Sequence, residues 1–275
     1  MRRFRFSLLA LACAALVVAA CYRSEVDGSR TFIITSVEQE NQLGAEAYAD
    51  ILRKERRSDD AEATALLNRV GARLAAVAPA RGFAYEFALI ESREINAFCL
   101  PGGKVAFYTG ILGMCRTEAG VAAVMGHEIA HAIERHGGRR MTQGILVEAG
   151  GLTLAALLES RGVSPTWQTV SMAAFGLGSQ VGVLLPYSRQ HELDADALGL
   201  RYMALAGYEP EEAVAFWQRF AAMGSQVPQF LSTHPASDER AARMHAQMAQ
   251  AKALYAQAPV RHGHGASVPA RYLAR

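Results

Sequence analysis

Apolar and polar positions along the chain change period twice. Residues 36–55, "SVEQENQLGAEAYADILRKE", read as a helix, with Ser36 as N-cap and Gln39 at the capping-box spacing. Residues 59–79, "DDAEATALLNRVGARLAAVAP", read as a second amphipathic helix whose Ala65, Leu66, Val70 and Leu74 recur at helical spacing. Pro79 and Gly82 end it. The period then shortens. "FAYEFALI" and "KVAFYTGIL" are β-rich, and "PGG" at 101–103 is the turn between extended segments, which predicts a small, mostly antiparallel sheet of about three strands. From Thr117 onward the pattern is helical again. "EAGVAAVMGHEIAHAIERH" is one helix, expected to stop at Gly137 and Gly138. Segments 141–160 and 165–185 are apolar and glycine-containing. The second is expected to pack on the protein, the alternative being a helix that dips into a membrane surface. Three more helices follow, one ending at Gly207, one opening near Pro210 and a last one over residues 238–255. The predicted class is α+β, mostly α-helical.

Composition changes this picture mainly at the ends. The first twenty residues place three arginines before a short uncharged apolar run, the layout of a secretory signal and too short for a span. The run ends in Val-Ala-Ala before Cys21, which resembles the lipobox of bacterial lipoproteins, where the cysteine is lipidated and becomes the new N-terminus. The alternative is an ordinary signal with an incidental cysteine. Tyr22, rather than an aspartate, follows Cys21, which by the same resemblance directs the chain to the outer membrane. Without the leader the 28 basic residues fall to 25 against 26 acidic ones, so the basic balance belongs to the leader and nothing points to nucleic acid. Cys99 and Cys115 remain, either bridged or as two free thiols. The expected organisation is a signal at 1–20, a lipidated tether at 21–35, one domain at 36–257 and a flexible tail at 258–275.

The candidate chemistry lies in "GHEIAHAIERHGG". His127 and His131 stand one helical turn apart and project from one face, with Glu128 beside them, the H-E-x-x-H arrangement of zinc peptidases. The helix is otherwise apolar, and unpaired polar groups buried there would be costly. A catalytic zinc takes three protein ligands and a water. Glu134 and Gly137 stand where the metzincin pattern needs glycine and histidine, so the third ligand is expected from a later helix. "SRQHELDAD" offers Glu192 as that ligand and Asp196, one turn on, as acceptor for the free ring nitrogen of a ligating histidine. His136 and His191 are expected outside the site.

Four blocks, "INAFCLPGGKVAFYTGIL", "EAGVAAVMGHEIAHAIERH", "SRQHELDADALGLRYMALAGY" and "STHPASDER", together resemble the gluzincin metallopeptidase family that includes HtpX, the CAAX prenyl protease and the Oma-type proteases. The spacing is nearest the short periplasmic lipoprotein members such as LoiP and the protease domain of BepA. The resemblance implies a zincin-like fold and one zinc ion on His127, His131 and Glu192, with Glu128 as general base. It implies that the strand through Gly102, Gly103, Lys104, Val105 and Ala106 borders the cleft and pairs with extended substrate. His234 maps near the metal, as a fourth ligand or a transition-state contact, and Arg240 would orient the site. The implied function is a zinc metalloendopeptidase acting on unfolded or misassembled periplasmic and outer-membrane proteins. Its expected partners are those substrates, the membrane through the lipid anchor, and the outer-membrane assembly machinery. The alternative is a non-proteolytic chaperone or assembly lipoprotein on the same fold.

Overall fold

The computed structural model describes residues 21–79, 81–180, 184–223, 230, 233–235 and 237–273. The expected signal at 1–20 lies outside them. The chain divides into two compact units, one made of the residues up to Ser36 with His136–His191, the other of Val37–Arg135 with Glu192–Arg275.

The second unit opens with α1 (Val37–Lys54) and α2 (Ala61–Val77). Asp60 caps α2 by accepting from the Ala63 backbone N–H at 3.0 Å. Leu66, Leu67, Val70 and Leu74 form its buried face, while Ala65 points outward. A three-stranded sheet follows, made of β3 (Glu86–Ile90), β4 (Ala97–Leu100) and β5 (Lys104–Tyr108), in the order β3-β5-β4. (β1, Cys21–Arg23, and β2, Arg30–Phe32, belong to the first unit.) The sheet is mixed rather than mostly antiparallel. β4 and β5 are joined by the tight turn at 101–103 and run antiparallel, but β5 inserts between β4 and β3 and so runs parallel to β3. Both faces of β5 are covered. Val105 and Phe107 face the main core, and Ala106 and Tyr108 face a smaller cluster with Tyr48 of α1. Burial on both faces explains its unbroken apolar run.

After α3 (Thr109–Cys115) the chain turns through Arg116 into α4 (Glu118–Ile133), where Thr117 caps the first turn. Nearly all of α4 is buried, which accounts for its lack of a polar face. It packs against α2 and lies along β4. α4 does not end at Gly137 and Gly138. The reversal comes at Arg135, which takes φ +54° without being glycine. Its guanidinium is fastened by two hydrogen bonds, at 2.8 and 3.0 Å, to the buried Glu40 carboxylate of α1. This side-chain clamp does the work expected of the glycines.

Helix α7 (Leu185–Leu205) ends at Gly207, with φ +81° and Tyr208 N–H donating to Met203 O at 2.9 Å. α8 (Glu211–Ala221) and α9 (Asp238–Gln257, capped by Ser237) follow. The expected flexible tail is a packed strap ending in α10 (Ala270–Leu273). Glu118 and Ala119 at the start of α4 donate to the carbonyls of Ala266 and His264, and His262 N–H donates to Gly207 O just past α7. Val268 and Tyr272 are buried. The strap looked loose because its bonds go to loop carbonyls and helix ends, which leave no periodicity, and because it needs glycine. Gly265 takes φ +66°, and a Cβ there would stand 2.6 Å from the Glu118 side chain. Cys99 and Cys115 are free thiols.

In the first unit the expected tether forms a two-stranded antiparallel hairpin, β1 (Cys21–Arg23) with β2 (Arg30–Phe32). It is fixed to α5 (His136–Ser160): the Ile34 N–H donates to Thr142 Oγ1 at 3.0 Å, and the Arg139 guanidinium lies over the Tyr22 ring. α6 (Pro165–Ser179) folds back on α5. The His136 and His191 rings stack with centroids 4.1 Å apart.

Candidate metal centre and active site

Two helices carry the site, α4 and α7, and the residues they contribute all lie in the second unit. α4 presents His127, Glu128 and His131; α7 presents Glu192 and Asp196. They cross at Gly126 and Gly199 with no side chain between. A Cβ on Gly199 would stand 2.7 Å from the His127 backbone nitrogen. The crossing brings the side chains together. His127 Nε2 and His131 Nε2 face each other at 3.0 Å. The Glu192 carboxylate lies 3.3 Å from His127 Nε2 and 3.4 Å from His131 Nε2. His234 joins them, its Nδ1 3.1 Å from Glu192 and 3.2 Å from His127 Nε2. Ligand atoms of His127, His131, Glu192 and His234 all lie within 4.8 Å of one another. His234 Nε2 stands 3.4 Å from Glu128 Oε1.

Asp196 stands behind this group, with its Oδ1 3.0 Å from His127 Nδ1. Arg240 holds the same carboxylate through Nε and Nη2, at 2.7 and 2.8 Å. Arg240 Nη1 donates to Pro235 O at 2.8 Å and lies 3.3 Å from Glu192. One buried guanidinium therefore ties the His234 loop, Asp196 and Glu192 together. Burial works against a charge on His127, but the bonds to Asp196 and Glu192 outweigh it and raise its pKa to about 9. Burial lowers His131 to about 3 against the pull of Glu192. Burial would raise both carboxylates, yet the histidines hold Glu192, and Arg240 and His127 hold Asp196, below the usual range.

The donor set fits a divalent cation. Imidazole nitrogens and a carboxylate oxygen converge on one point in a buried pocket, where lone pairs facing one another need a positive centre. Nitrogen and carboxylate ligands suit zinc among biological metals.

The sequence model of peptidase family M48 matches residues 60–248, more than half of the chain. The chain belongs to peptidase family M48. Its relatives include the mitochondrial metalloendopeptidase OMA1 of Schizosaccharomyces pombe, 34% identical over 221 residues, covering 78% of this chain and 63% of that one. OMA1 of Saccharomyces cerevisiae is 32% identical over 169 residues, covering 59% and 46%. The beta-barrel assembly-enhancing protease of Escherichia coli is 28% identical over 255 residues, covering 88% and 52%. The chain thus spans between 46% and 63% of the length of these three relatives.

The M48 segment of this chain brings together His127, Glu128, His131, Glu192, Asp196, His234 and Arg240. It does not place the expected substrate strand at the cleft. β5 is the central strand, paired on both sides. Lys104 is buried, with its Nζ donating to Ala84 O and Glu86. Gly102 and Gly103 take φ +83° and +79° and form the turn from β4. The strand beside α4 is β4. Tyr108 N–H donates to Asn96 O at 3.0 Å, so residues 98 and 100 exchange hydrogen bonds with β5, and Cys99 directs its backbone groups away from it.

An aromatic wall escaped the sequence reading. The Trp217 ring of α8 lies 5.5 Å from His127 and under the Arg240 guanidinium, and Phe230 lies 4.6 Å from His234. Nothing in the helical spacing of Phe216, Trp217 and Phe220 sets them apart from core aromatics, which are far commoner than site aromatics.

Proposed function

We propose that this chain is a zinc-dependent endopeptidase of extended polypeptides, lipid-anchored at Cys21 to the periplasmic side of the bacterial outer membrane. The observation that carries the reading is the convergence of His127, His131 and Glu192 with Glu128 beside them. When bound there, zinc would lower the pKa of a water toward neutrality and polarise the scissile carbonyl. Glu128, beside the ligand cluster, would accept a proton from the attacking water and return it to the leaving amine. Asp196 accepts from His127 Nδ1–H and keeps Nε2 free as a donor of its lone pair. Arg240 fixes Asp196 and the His234 loop. The substrate adds as a strand to the open edge of β4, where Cys99 supplies backbone groups at the two-residue period of a strand.

His234 stands where a fourth protein ligand would close the site, and we read the arrangement as a resting form that opens when the His234 loop withdraws. Unfolded or misassembled envelope proteins are the proposed substrates, with the assembly machinery of the outer membrane as a partner. The name of the E. coli relative, a β-barrel assembly-enhancing protease, supports that direction. The deciding experiment is Glu128→Gln. Cleavage of an unfolded outer-membrane protein should fall by about 10²–10⁴-fold with bound zinc retained, whereas Glu192→Ala should lose both. Full cleavage by Glu128→Gln would refute the mechanism. Absence of cleavage by the unsubstituted chain, with zinc bound, would favour the chaperone reading.

A further inference from the structure

Among the described residues, fifteen large hydrophobic side chains are exposed, and nine of them fall between Met141 and Leu185. On α5 the pattern is inverted. Its buried residues are His136, Gly138, Arg139, Thr142 and Gly151, whereas Ile145, Leu146, Leu152 and Leu157 face outward. On α6 only Ser179 is buried, and Trp167 and Leu177 are 65% and 68% exposed. The two helices meet through glycine. A Cβ on Gly150 or Gly151 would come within 3.3 or 3.4 Å of the Phe175 ring of α6. A helix pair folding in water buries its leucines and exposes its small and polar residues. Packing through small residues with large apolar ones outward is what a hydrocarbon solvent selects.

Length and charge agree. α5 has 25 residues, is apolar enough to cross a membrane, and is 11% buried across its most apolar stretch. At 1.5 Å per residue it reaches about 37 Å, against a hydrocarbon core of about 30 Å. The two soluble explanations for such a helix, a protein core or a leader, both fail, because α5 is neither enclosed nor near the N-terminus. From Met141 to Leu158 the one charge is Glu148, and from Gly162 to Ser188 there is none. The exposed Arg140 stands at the base of the pair, and the exposed Glu159 and Arg161 at its turn, bracketing an apolar band as headgroup-facing charges do. A single carboxyl within such a span is a cost that membrane helices do carry. The hairpin β1–β2, which begins at Cys21, is fastened to the base of α5 in the same unit.

We propose that α5 and α6 form a helical hairpin that sits in the hydrocarbon interior of a lipid bilayer, a membrane contact separate from any lipid on Cys21. It does not depend on the peptidase reading.

The chain has two tryptophans, Trp167 on α6 and Trp217 beside His127, so each can be made the sole fluorophore by replacing the other with phenylalanine. The full chain is reconstituted into phosphatidylethanolamine–phosphatidylglycerol vesicles whose acyl chains carry bromine. The expected result is a blue-shifted Trp167 emission quenched best by bromine near the headgroup end of the acyl chains, because Trp167 lies in the first turn of α6 close to Arg161, with Trp217 unquenched. Exposed-site changes, Leu152→Lys with Leu177→Lys, should reduce that quenching while bound metal per chain, the check on folding, stays the same. Glu148→Leu should strengthen it. If neither tryptophan is quenched, or both are equally, the proposal is wrong. It is also wrong if sedimentation without lipid shows a dimer in which Trp167 is already shielded, since a second copy would then cover the hairpin.

Discussion

A methyl group at position 199 would stand 2.7 Å from the His127 backbone nitrogen, while one at position 137 meets nothing within 4 Å. The two glycines look alike in the sequence and should behave oppositely. Gly199→Ala forces α4 and α7 apart at the ligands, and should cost about 1–3 kcal/mol and weaken metal binding. Gly137→Ala, in an open helical position, should be neutral or stabilising by about 0.5–1 kcal/mol. Thermal unfolding and metal titration of the pair check this. His234 gives a second prediction at this scale. If it closes the site at rest, His234→Ala should raise cleavage of an unfolded substrate while zinc stays bound on the other three ligands; a fall in kcat with unchanged zinc would make it a transition-state contact instead. His127, His131 and Glu192 were legible because metal chemistry imposes residue type and helical spacing together. Gly199 was not, because a close crossing depends on which helices meet.

At the scale of elements, the strap over residues 258–273 gains its last fixed points at Asp60. Arg271 Nε donates to Asp60 Oδ2 at 2.6 Å and the Tyr272 hydroxyl at 2.7 Å. Covering Asp60 would raise its pKa, but the Arg271 and Tyr272 bonds lower it from 3.8 to about 2. A depressed carboxyl contributes stability that is fully present above its unfolded pKa and is lost as pH falls through the folded one. Asn keeps the cap on α2, so Asp60→Asn isolates the ionic tie. The variant should be less stable than the parent by up to about 1 kcal/mol at pH 7. The gap should close as pH falls from about 4 toward about 2, as followed by denaturant unfolding. Helices were read well where, as in α2 and α9, a recognisable cap opens them. The sheet was read less well. The "PGG" turn identified the β4–β5 pair, but nothing local records that β5 inserts beside β3. The strap was missed because its order comes from distant partners.

At the scale of the whole molecule, the metal ligands all belong to the second unit, although 61 residues separate His131 from Glu192. Zinc binding should therefore stabilise that unit; at a free concentration of about 100 Kd the gain is about 2.7 kcal/mol, and a chelator should remove it in a thermal scan. The intervening segment supplies none of the ligands, and its two ends touch, since the rings of His136 and His191 stack 4.1 Å apart. A segment that leaves and re-enters at one point is an exchangeable cassette. Replacing residues 141–186 by a short Gly-Ser connection should preserve zinc stoichiometry and the chelator-sensitive transition while abolishing the lipid contact of α5 and α6; loss of zinc would show that the cassette is needed for folding. Between the same two histidines, longer, shorter or wholly polar inserts could be accommodated without moving a ligand, so the site can be carried to a different surface by changing one loop.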